Sequence, residues 1–184
     1  MAGVLLDMAM SLDGFIGRAD ETDPGLYDWY FDPPAQSKPV VDELVETTGA
    51  IVLGRGAFGT GDDAGGWDDT PYDVTHFVLT HRPPTPAPTG SVNFVFVQEG
   101  IHEAIDQARR AAGDRWVTIG GGADIAQQAL AAGLVDELQL HVVPKLMGDG
   151  IALFGGVTVD RPMTRVRVVD SPLVTHVRYR FEPR

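Results

Sequence analysis

The 184-residue sequence contains no cysteine. Disulfides, thiolate nucleophiles and thiolate-ligated zinc or iron–sulfur sites are therefore excluded. Basic residues are also scarce, because 14 Lys and Arg against 26 Asp and Glu give a formal net charge of −12. That charge disfavours nucleic acid as a partner, since a phosphate backbone needs a basic surface. An anionic ligand would have to be bound by local arginines and backbone N–H groups.

Long apolar runs are lacking as well. No stretch approaches the roughly 18 apolar residues of a membrane-spanning helix, and the N-terminal segment has neither the basic start nor the cleavage site of a signal peptide. With 43% hydrophobic residues, the composition is typical of a soluble globular protein. The length suits one domain with a full core. We expect a cytoplasmic protein with no membrane partner.

The motifs of several common enzyme classes are missing. The five histidines show no metal-ligand spacing, so we expect no metal site. The sequence contains neither the G-x-S-x-G turn of Ser-His-Asp hydrolases nor the G-x-x-x-x-G-K-[ST] loop that binds nucleotide phosphates.

The most informative stretch runs from Trp116 to Gly155. A short apolar run, Trp116–Ile119, ends in three glycines and passes directly into a helical pattern that stops at Gly133. A second strand, Glu137–Val143, follows, which predicts a βαβ unit with parallel strands. Glycines let a ligand approach the backbone, and a helix N-terminus attracts anions. One interpretation of this turn is therefore a phosphate-binding site.

The glycines alone leave a second interpretation open. Gly120 and Gly122 supply the first two glycines of a dinucleotide fingerprint, but its third position holds Ile125. An ordinary strand-to-helix turn of any α/β protein explains the pattern equally well.

The rest of the chain repeats the alternation of strand and helix. The C-terminal segments Arg165–Val169 and Val174–Phe181 alternate polar and apolar residues, which predicts an antiparallel hairpin with one solvated face. The other predicted elements are strands at Gly3–Met10 (interrupted only by Asp7), Ala50–Leu53, Thr75–Leu79 and Asn93–Val97, a helix after the N-cap Ser37 that Gly49 stops, and a helix at Ile101–Ala112.

Two strand ends carry cationic side chains. Arg55 follows Gly54 directly after a strand, where a guanidinium can bind a phosphate. Taken alone, such an arginine is more often an ordinary surface residue. Thr80, His81 and Arg82 follow another strand and combine a hydroxyl, an imidazole and a guanidinium, which together suit an anion.

Further candidates lie in the loops. Asp13 follows the first strand, at the edge of the sheet where open α/β folds bind ligands, although a turn-forming role beside glycine is the simpler explanation. The long loop 18–36 has an aromatic cluster that includes Trp29, and it is either a functional flap or an Ω-loop pinned by its own side chains. A second loop, Gly59–Tyr72, has Trp67 as its expected anchor.

Four stretches together resemble one known superfamily. They are SLDGFIG at Ser11–Gly17, IVLGRGAF at Ile51–Phe58, VLTHRP at Val78–Pro83 and GGGADIAQQALAAGLVDELQLHVVPKLMGDGIALF at Gly120–Phe154. The chain resembles the dihydrofolate reductase-like superfamily, and most closely the reductase (C-terminal) domain of bacterial bifunctional riboflavin-biosynthesis deaminase-reductases in a stand-alone form. The zinc deaminase half of those enzymes needs cysteine ligands, so we expect it to be absent here.

The resemblance implies a single three-layer α/β domain over residues 1–184, with a mainly parallel, eight-stranded central sheet and an antiparallel C-terminal hairpin. It also implies NADPH as the cofactor. By position in the matched motifs, the implied cofactor-binding residues are Ala9, Ile16 and Gly17 beside the nicotinamide, Gly54, Arg55, Thr80, His81 and Arg82 at the adenosine and its 2′-phosphate, and Gly120, Gly121, Gly122, Ala123 and Asp124 at the pyrophosphate.

The implied activity is hydride transfer from NADPH to a C=N or C=O bond of a small heterocyclic or sugar-derived substrate, as in 5-amino-6-(5-phosphoribosylamino)uracil reductase. Asp13 is the candidate for substrate hydrogen bonding or proton delivery, and Trp29 is the candidate lid over the substrate. A homodimer is expected, because such relatives commonly form one.

Two alternatives remain open at this stage. True dihydrofolate reductases carry a catalytic carboxylate on the first helix, but alignment on Gly54 and Arg55 puts Lys38 near that place. A non-catalytic NADPH- or ligand-binding module is therefore the main alternative. Genuine dihydrofolate reductase activity is less expected for the same reason.

Overall fold

The computed structural model describes residues 2–20, 22–59, 70–86, 88 and 90–183, so Trp67 and most of its loop lie outside the described residues. The helices are α1 (Asp28–Phe31), α2 (Lys38–Thr47), α3 (Arg55–Phe58), α4 (Ile101–Ala112) and α5 (Ala123–Ala131). The strands are β1 (Val4–Ser11), β2 (Phe15–Gly17), β3 (Thr48–Gly54), β4 (His76–Leu79), β5 (Phe94–Val97), β6 (Trp116–Gly121), β7 (Glu137–Val143), β8 (Ile151–Ala152), β9 (Met163–Ser171) and β10 (Val174–Phe181).

Eight strands form one central sheet in the order β5-β4-β3-β6-β1-β7-β10-β9. The first six in this order pair in parallel, while β10 and β9 continue the sheet antiparallel. β2 and β8 form a separate two-stranded sheet. The predicted fold class is confirmed: a mainly parallel, eight-stranded α/β sheet with an antiparallel C-terminal hairpin.

The predicted βαβ unit is also confirmed, with one addition. β6 and β7 both run parallel to β1 and lie on either side of it. The first strand of the chain therefore occupies the centre of the sheet, between the two strands that α5 connects. The position of β1 between β6 and β7 depends on the pairing of distant segments, so the local sequence pattern does not predict it.

The two faces of the sheet differ in chemistry. On one face, Val4, Leu6 and Met8 of β1 pack in a core with buried residues of α4 and α5, including Ile105 and Ala126. On the other face, side chains of β9 and β10 bond to α2. Because strand side chains alternate between faces, Asp7 of β1 points to this second side. Helices thus cover both faces, which gives three layers.

The solvated face predicted for the last hairpin is wrong for β10. His176 is 2% exposed and Arg178 is 8% exposed, so these two polar positions are buried beneath α2, while Arg180 at the end of the strand is exposed. The alternation of polar and apolar residues indicated correctly which side chains share a face. It could not indicate that a helix would cover the polar face.

The start and end of α2 also differ from the prediction. Ser37 makes no side-chain capping bond, because its Oγ is hydrogen-bonded to His176 Nε2 at 2.9 Å and to Ser171 Oγ at 2.8 Å. The helix ends at Thr47, and β3 begins at Thr48, two residues before the predicted strand. No helix among the described residues is long and apolar enough to span a bilayer.

Candidate functional site

A large cleft of about 1230 Å³ opens where β3, β4 and β6 end. Because these strands are parallel, their carboxyl ends and the turns after them meet at one edge of the sheet. Twelve of the thirteen predicted cofactor residues line this single cleft: Ile16, Gly17, Gly54, Arg55, Thr80, His81, Arg82, Gly120, Gly121, Gly122, Ala123 and Asp124. Four segments that are far apart in sequence thus converge on one surface.

Two glycine turns form the base of the cleft. A Cβ added to Gly121 would lie 2.5 Å from the Cβ of Ala57, and one added to Gly54 would lie 2.8 Å from Cγ1 of Ile125. Gly122, the N-cap of α5, has φ +89°, a conformation that side chains other than glycine rarely adopt. The turns after β3 and β6 therefore approach as closely as glycine permits, and they expose backbone to the cleft.

The first turn of α5 faces the cleft directly behind these glycines. An α-helix leaves its first N–H groups without intrahelical partners and carries a partial positive charge at that end. Asp124 accepts a hydrogen bond from Nε2 of Gln128 at 2.7 Å, which turns its carboxylate along the helix. This arrangement suits an anion such as a pyrophosphate.

Three arginines bring positive charge to the cleft of this acidic chain: Arg18, Arg55 and Arg82. Arg55 Nη1 donates to the Gly59 carbonyl oxygen, and its guanidinium lies 5.2 Å from the centre of the Phe58 ring. The Arg82 turn is held by Thr80, whose Oγ1 accepts from the Arg82 amide at 3.1 Å. Arg18 was not predicted from the sequence, since it lies in a polar loop where an arginine is unremarkable.

Ala9 is the one predicted cofactor residue outside the cleft lining. Its amide donates to the hydroxyl of Tyr27 at 3.4 Å, and Tyr27 itself lines the cleft. Burial of the hydroxyl raises the pKa of Tyr27 to about 12. The neutral side chain of Tyr27 thus separates Ala9 from the cleft. The place of Tyr27 in the aromatic loop was its only signal in the sequence.

The structure argues against proton delivery by Asp13, which lies outside the cleft lining. Its carboxylate accepts from Ser11 Oγ at 2.6 Å and from the amides of Met147 and Gly148 at 3.0 and 2.7 Å. These bonds, led by the one from Ser11, lower the pKa of Asp13 to about 2. These bonds use the Asp13 carboxylate to tie the turn after β1 to the loop before β8.

Trp29 is a core residue in the structure, not a lid. It is 2% exposed, its Nε1 donates to the Leu26 carbonyl at 2.9 Å, and its ring lies 4.6 Å from that of His141. A side chain enclosed in this way cannot open and close over a substrate. The aromatic loop is therefore pinned by its own tryptophan, as the Ω-loop interpretation proposed.

The acidic residues of α2 do not replace the missing helix carboxylate. Lys38 is exposed and bonds to Asp42 through Nζ at 2.7 Å. Glu43 points to the sheet, where it bonds to Arg167 and to Arg178 Nη1. The carboxylate that does lie beneath the aromatic loop is Asp7 of β1, which the sequence showed only as a polar interruption of a strand.

Comparison with known proteins agrees with this geometry. The RibD C-terminal domain family matches residues 2–175. The uncharacterized Bacillus subtilis (strain 168) protein YwjB is similar to this chain, with 26% identity over 155 residues that cover 84% of this chain and 83% of YwjB.

Two solved structures show the same fold. The Thermotoga maritima diaminohydroxyphosphoribosylaminopyrimidine deaminase/5-amino-6-(5-phosphoribosylamino)uracil reductase superposes with a TM-score of 0.67 at 17% identity, over 98% of this chain and 56% of that chain. The Enterococcus faecalis dihydrofolate reductase complexed with NADP(H) superposes with a TM-score of 0.62 at 18% identity, over 100% and 99% of the two chains. The fold is dihydrofolate reductase-like, and the chain belongs to the RibD C-terminal domain family.

Proposed function

We propose that the protein is an NADPH-dependent reductase that transfers hydride to a C=N or C=O bond of a small heterocyclic or sugar-derived substrate. The observation that carries this proposal is the convergence of four segments on one cleft: Ile16–Gly17, Gly54–Arg55, Thr80–Arg82 and Gly120–Asp124. The sequence motifs assign these four segments to three parts of the cofactor, the nicotinamide, the adenosine with its 2′-phosphate, and the pyrophosphate.

The residues of the cleft fit a dinucleotide phosphate. The glycines Gly54 and Gly121 let the turns pack closely against Ile125 and Ala57, and the N-terminus of α5 beside these turns suits a pyrophosphate. Arg55 and Arg82 supply guanidinium groups for the 2′-phosphate that distinguishes NADPH from NADH. The chemistry that a bound reduced nicotinamide supplies is hydride transfer, while the chain binds and orients the reactants.

The family suggests the substrate class. Relatives of this fold include a 5-amino-6-(5-phosphoribosylamino)uracil reductase, so we propose an aminopyrimidine or a compound of similar shape, and that uracil derivative is the first compound to test. The implied homodimer stays a prediction. It is supported by the exposed Val166 and Val168 on the edge strand β9, and light scattering would measure it.

The test of the cofactor assignment is a fluorescence titration with NADPH and, separately, with NADH. Wild-type protein should bind both and should prefer NADPH. Arg82→Gln should weaken NADPH binding about tenfold, which is about 1.4 kcal/mol, and should leave NADH binding unchanged, because only NADPH carries the 2′-phosphate. Arg110→Gln is the matched control, since Arg110 is an exposed arginine of α4 that pairs with Glu103.

Three results would contradict parts of the proposal. Wild-type protein that binds neither nucleotide would remove the reductase assignment altogether. Equal weakening of NADPH and NADH in Arg82→Gln would remove Arg82 from the 2′-phosphate site. Binding of NADPH without its oxidation across a panel of carbonyl and imine compounds would favour the non-catalytic binding module.

A further inference from the structure

A chain of buried hydrogen bonds connects Asp7 to the start of α2. Asp7 Oδ1 lies 2.9 Å from His141 Nε2, and His141 Nδ1 lies 2.6 Å from His176 Nδ1. His176 Nε2 lies 2.9 Å from Ser37 Oγ, which in turn bonds to Ser171 Oγ at 2.8 Å. We call these five residues the relay. Both histidines are almost fully buried, at 1% and 2% exposed.

The contact between the two imidazoles fixes how many protons the relay can hold. At 2.6 Å the two Nδ1 atoms need one hydrogen between them, because two would collide and none would leave two lone pairs facing each other. In the state without an extra proton, Ser37 donates to His176, His176 donates to His141, and His141 donates through Nε2 to the Asp7 carboxylate. Every bond of the relay is then satisfied in one direction.

One added proton is accommodated when the donor and acceptor roles reverse in the hydrogen bonds between His141 and Ser171. His141 then carries hydrogen on both nitrogens, with Nε2 toward Asp7 and Nδ1 toward His176. His176 donates through Nε2 to Ser37, and Ser37 donates to Ser171, which is possible because a hydroxyl is both donor and acceptor. Neither imidazole can then take a second added proton, because the two Nδ1 atoms already share one hydrogen. Burial, followed by the charge of His141, lowers the pKa of His176 to about 4.

Asp7, at the outer end of the relay, lies outside the cleft lining but close to Tyr27, which lines the cleft. Asp7 and Ala9 lie on the same face of β1, about 7 Å apart along the strand, and the nicotinamide is expected beside Ala9. The Asp7 side chain keeps 16% of its surface exposed. The charge of Asp7 acts on Tyr27 and Tyr30 of the aromatic loop and on Tyr72. Burial is the largest cause of the raised pKa values of these three tyrosines, and the negative charge of Asp7 adds to it.

We propose that Asp7 is the proton donor of the reduction, and that His141 and His176 store the proton it delivers. This inference rests on the proposed function, because it assigns the second half of that reaction. Asp13 is unsuited to the role for the reasons given above. Glu43 and Glu137 are occupied by arginines.

For a C=N bond, the carbon would receive the hydride that a bound reduced nicotinamide supplies, and the nitrogen would receive a proton from Asp7. Asp7 would draw that proton from His141 Nε2 in the same step, so that Asp7 ends as a carboxylate and His141 ends neutral. The relay would then have lost its one added proton, and solvent would restore it before the next turnover. A C=O bond is reduced in the same way, with the proton bound at oxygen.

Several other groups face the relay and set its charge balance. His176 feels the positive charge of Arg167 from β9, but Glu43 of α2 bonds to that arginine. Gln139 donates to Asp7 Oδ1 at 2.9 Å and accepts from Arg167. The titratable or charged groups around the relay are therefore Tyr27, Tyr30, Tyr72, Arg167 and Glu43.

The first test measures proton storage without any turnover. Long-range ¹H–¹⁵N spectra of the histidine rings are recorded from about pH 5 to 8, the range in which imidazoles titrate, and His141→Gln and His176→Gln assign the signals. The wild-type pair should take up a single proton, because the two Nδ1 atoms share one hydrogen. In Asp7→Asn the midpoint of that uptake should fall by about 1–3 pH units, because the facing negative charge is gone.

The matched control separates this effect from a loss of packing. Thr48→Val removes a different buried hydrogen bond, the 2.8 Å contact between Thr48 Oγ1 and Thr118 Oγ1, and should leave the midpoint of proton uptake unchanged. A midpoint that does not move in Asp7→Asn would overturn the proposal. Independent uptake of two protons, or of none in this range, would also overturn it.

The second test measures turnover of 5-amino-6-(5-phosphoribosylamino)uracil with NADPH. Asp7→Asn should lower kcat about 10²- to 10⁴-fold while the Kd for NADPH stays at the wild-type value. The wild-type kcat/KM should fall as pH rises through the midpoint measured in the spectra. An Asp7→Asn variant with wild-type kcat, or a kcat/KM that is flat through that midpoint, would overturn the assignment.

The two proposals fail in different ways. A protein that binds no NADPH contradicts the proposed function, whatever the histidine spectra show. A protein that binds NADPH but does not turn over the uracil derivative contradicts that substrate, while the titration still decides whether Asp7 and the histidines store a proton.

Discussion

The cleft and the buried polar layer on the other side of β1 are built in opposite ways. We define the polar layer as the relay together with Glu43, Glu137, Gln139, Arg167 and Arg178. The cleft is lined by several glycines from the turns after β3 and β6, and its three arginines are exposed or half-buried. The polar layer consists of side chains from α2, β1, β7, β9 and β10, most of them buried.

The difference separates binding from stability. A solvated arginine in the cleft contributes little to folding, since water replaces any partner that it lacks. A buried charge in the polar layer has no such replacement, so loss of its partner is costly. Changes in the cleft should therefore alter affinity, and changes in the polar layer should alter stability.

Removal of the Glu137 carboxylate should cause the greatest loss. Glu137 is 5% exposed in its side chain and accepts from Arg178 Nε at 2.6 Å and Arg180 Nε at 2.8 Å. Glu137→Ala leaves Arg178 buried with Glu43 as its remaining partner, which should lower the free energy of unfolding by about 3–5 kcal/mol. Urea unfolding measures this loss, and the folded fraction should keep its affinity for NADPH.

Lys38→Ala is the control for Glu137→Ala. Lys38 pairs with Asp42 on the surface of α2, so its removal should change the free energy of unfolding by no more than about 0.5 kcal/mol. Equal losses in the two variants would contradict the distinction between buried and solvated ion pairs.

As pH falls, protonation of His176 should lower the stability of the polar layer before protonation of Asp13 has any effect. Burial lowers the pKa of His176 to about 4, below the ordinary imidazole value of about 6.5. The unfolded chain then binds more protons between these values, so stability falls as pH falls through this window. The loss at pH 5 should be about 2 kcal/mol relative to pH 7. Asp13, with its pKa lowered to about 2, loses its contribution only at lower pH.

Urea unfolding at pH 7, 6 and 5 measures this dependence, with His176→Gln as the comparison. The variant has no imidazole to protonate at this position, so its stability should fall less steeply over the same range. Parallel curves for the two proteins would show that His176 is not the group responsible.

Gly122→Ala should reduce NADPH affinity about tenfold. The added Cβ meets Gly54 Cα at 3.8 Å, which is an ordinary contact, but φ is +89°. The turn must therefore shift, and its amides move away from the expected pyrophosphate. Gly113→Ala is matched in backbone strain, since its φ is +64° with nothing near its Cβ, but it lies at the end of α4. It should lower Tm and leave the Kd for NADPH unchanged. Unchanged affinity in Gly122→Ala would exclude this turn from the cofactor site.

Much of the fold was predictable because its signals are local. The helix at Ile101–Ala112 and the strands at Glu137–Val143 and Val174–Phe181 have the predicted bounds. Their periodicity is long and uninterrupted, and glycines or prolines mark their ends. The start of β3 was missed because Thr48 and Gly49 resemble a helix end, whereas pairing with β6 extends the strand back to them.

The residues of the candidate site likewise divide into those with a local sequence signal and those without one. The cleft residues belong to short motifs in which glycine and arginine follow a strand, and parallel strands bring such ends together. Asp7 and the two histidines carry no motif, and Asp13 was preferred because it follows the first strand at the sheet edge where open α/β folds bind ligands. Trp29 was assigned to a lid because it belongs to the aromatic cluster of a long loop, and the sequence does not contain the packing of its ring against His141.

The sequence by itself determined the order of strands, glycine turns and helices, because these depend on residues within a few positions of one another. It determined the family for the same reason, through contiguous motifs. Only the tertiary structure decided that Asp7 meets His141 across 134 residues and that Ser37 meets His176 across 139. Those contacts depend on strand order, on register and on which face α2 covers, and each of these is a property of the assembled sheet.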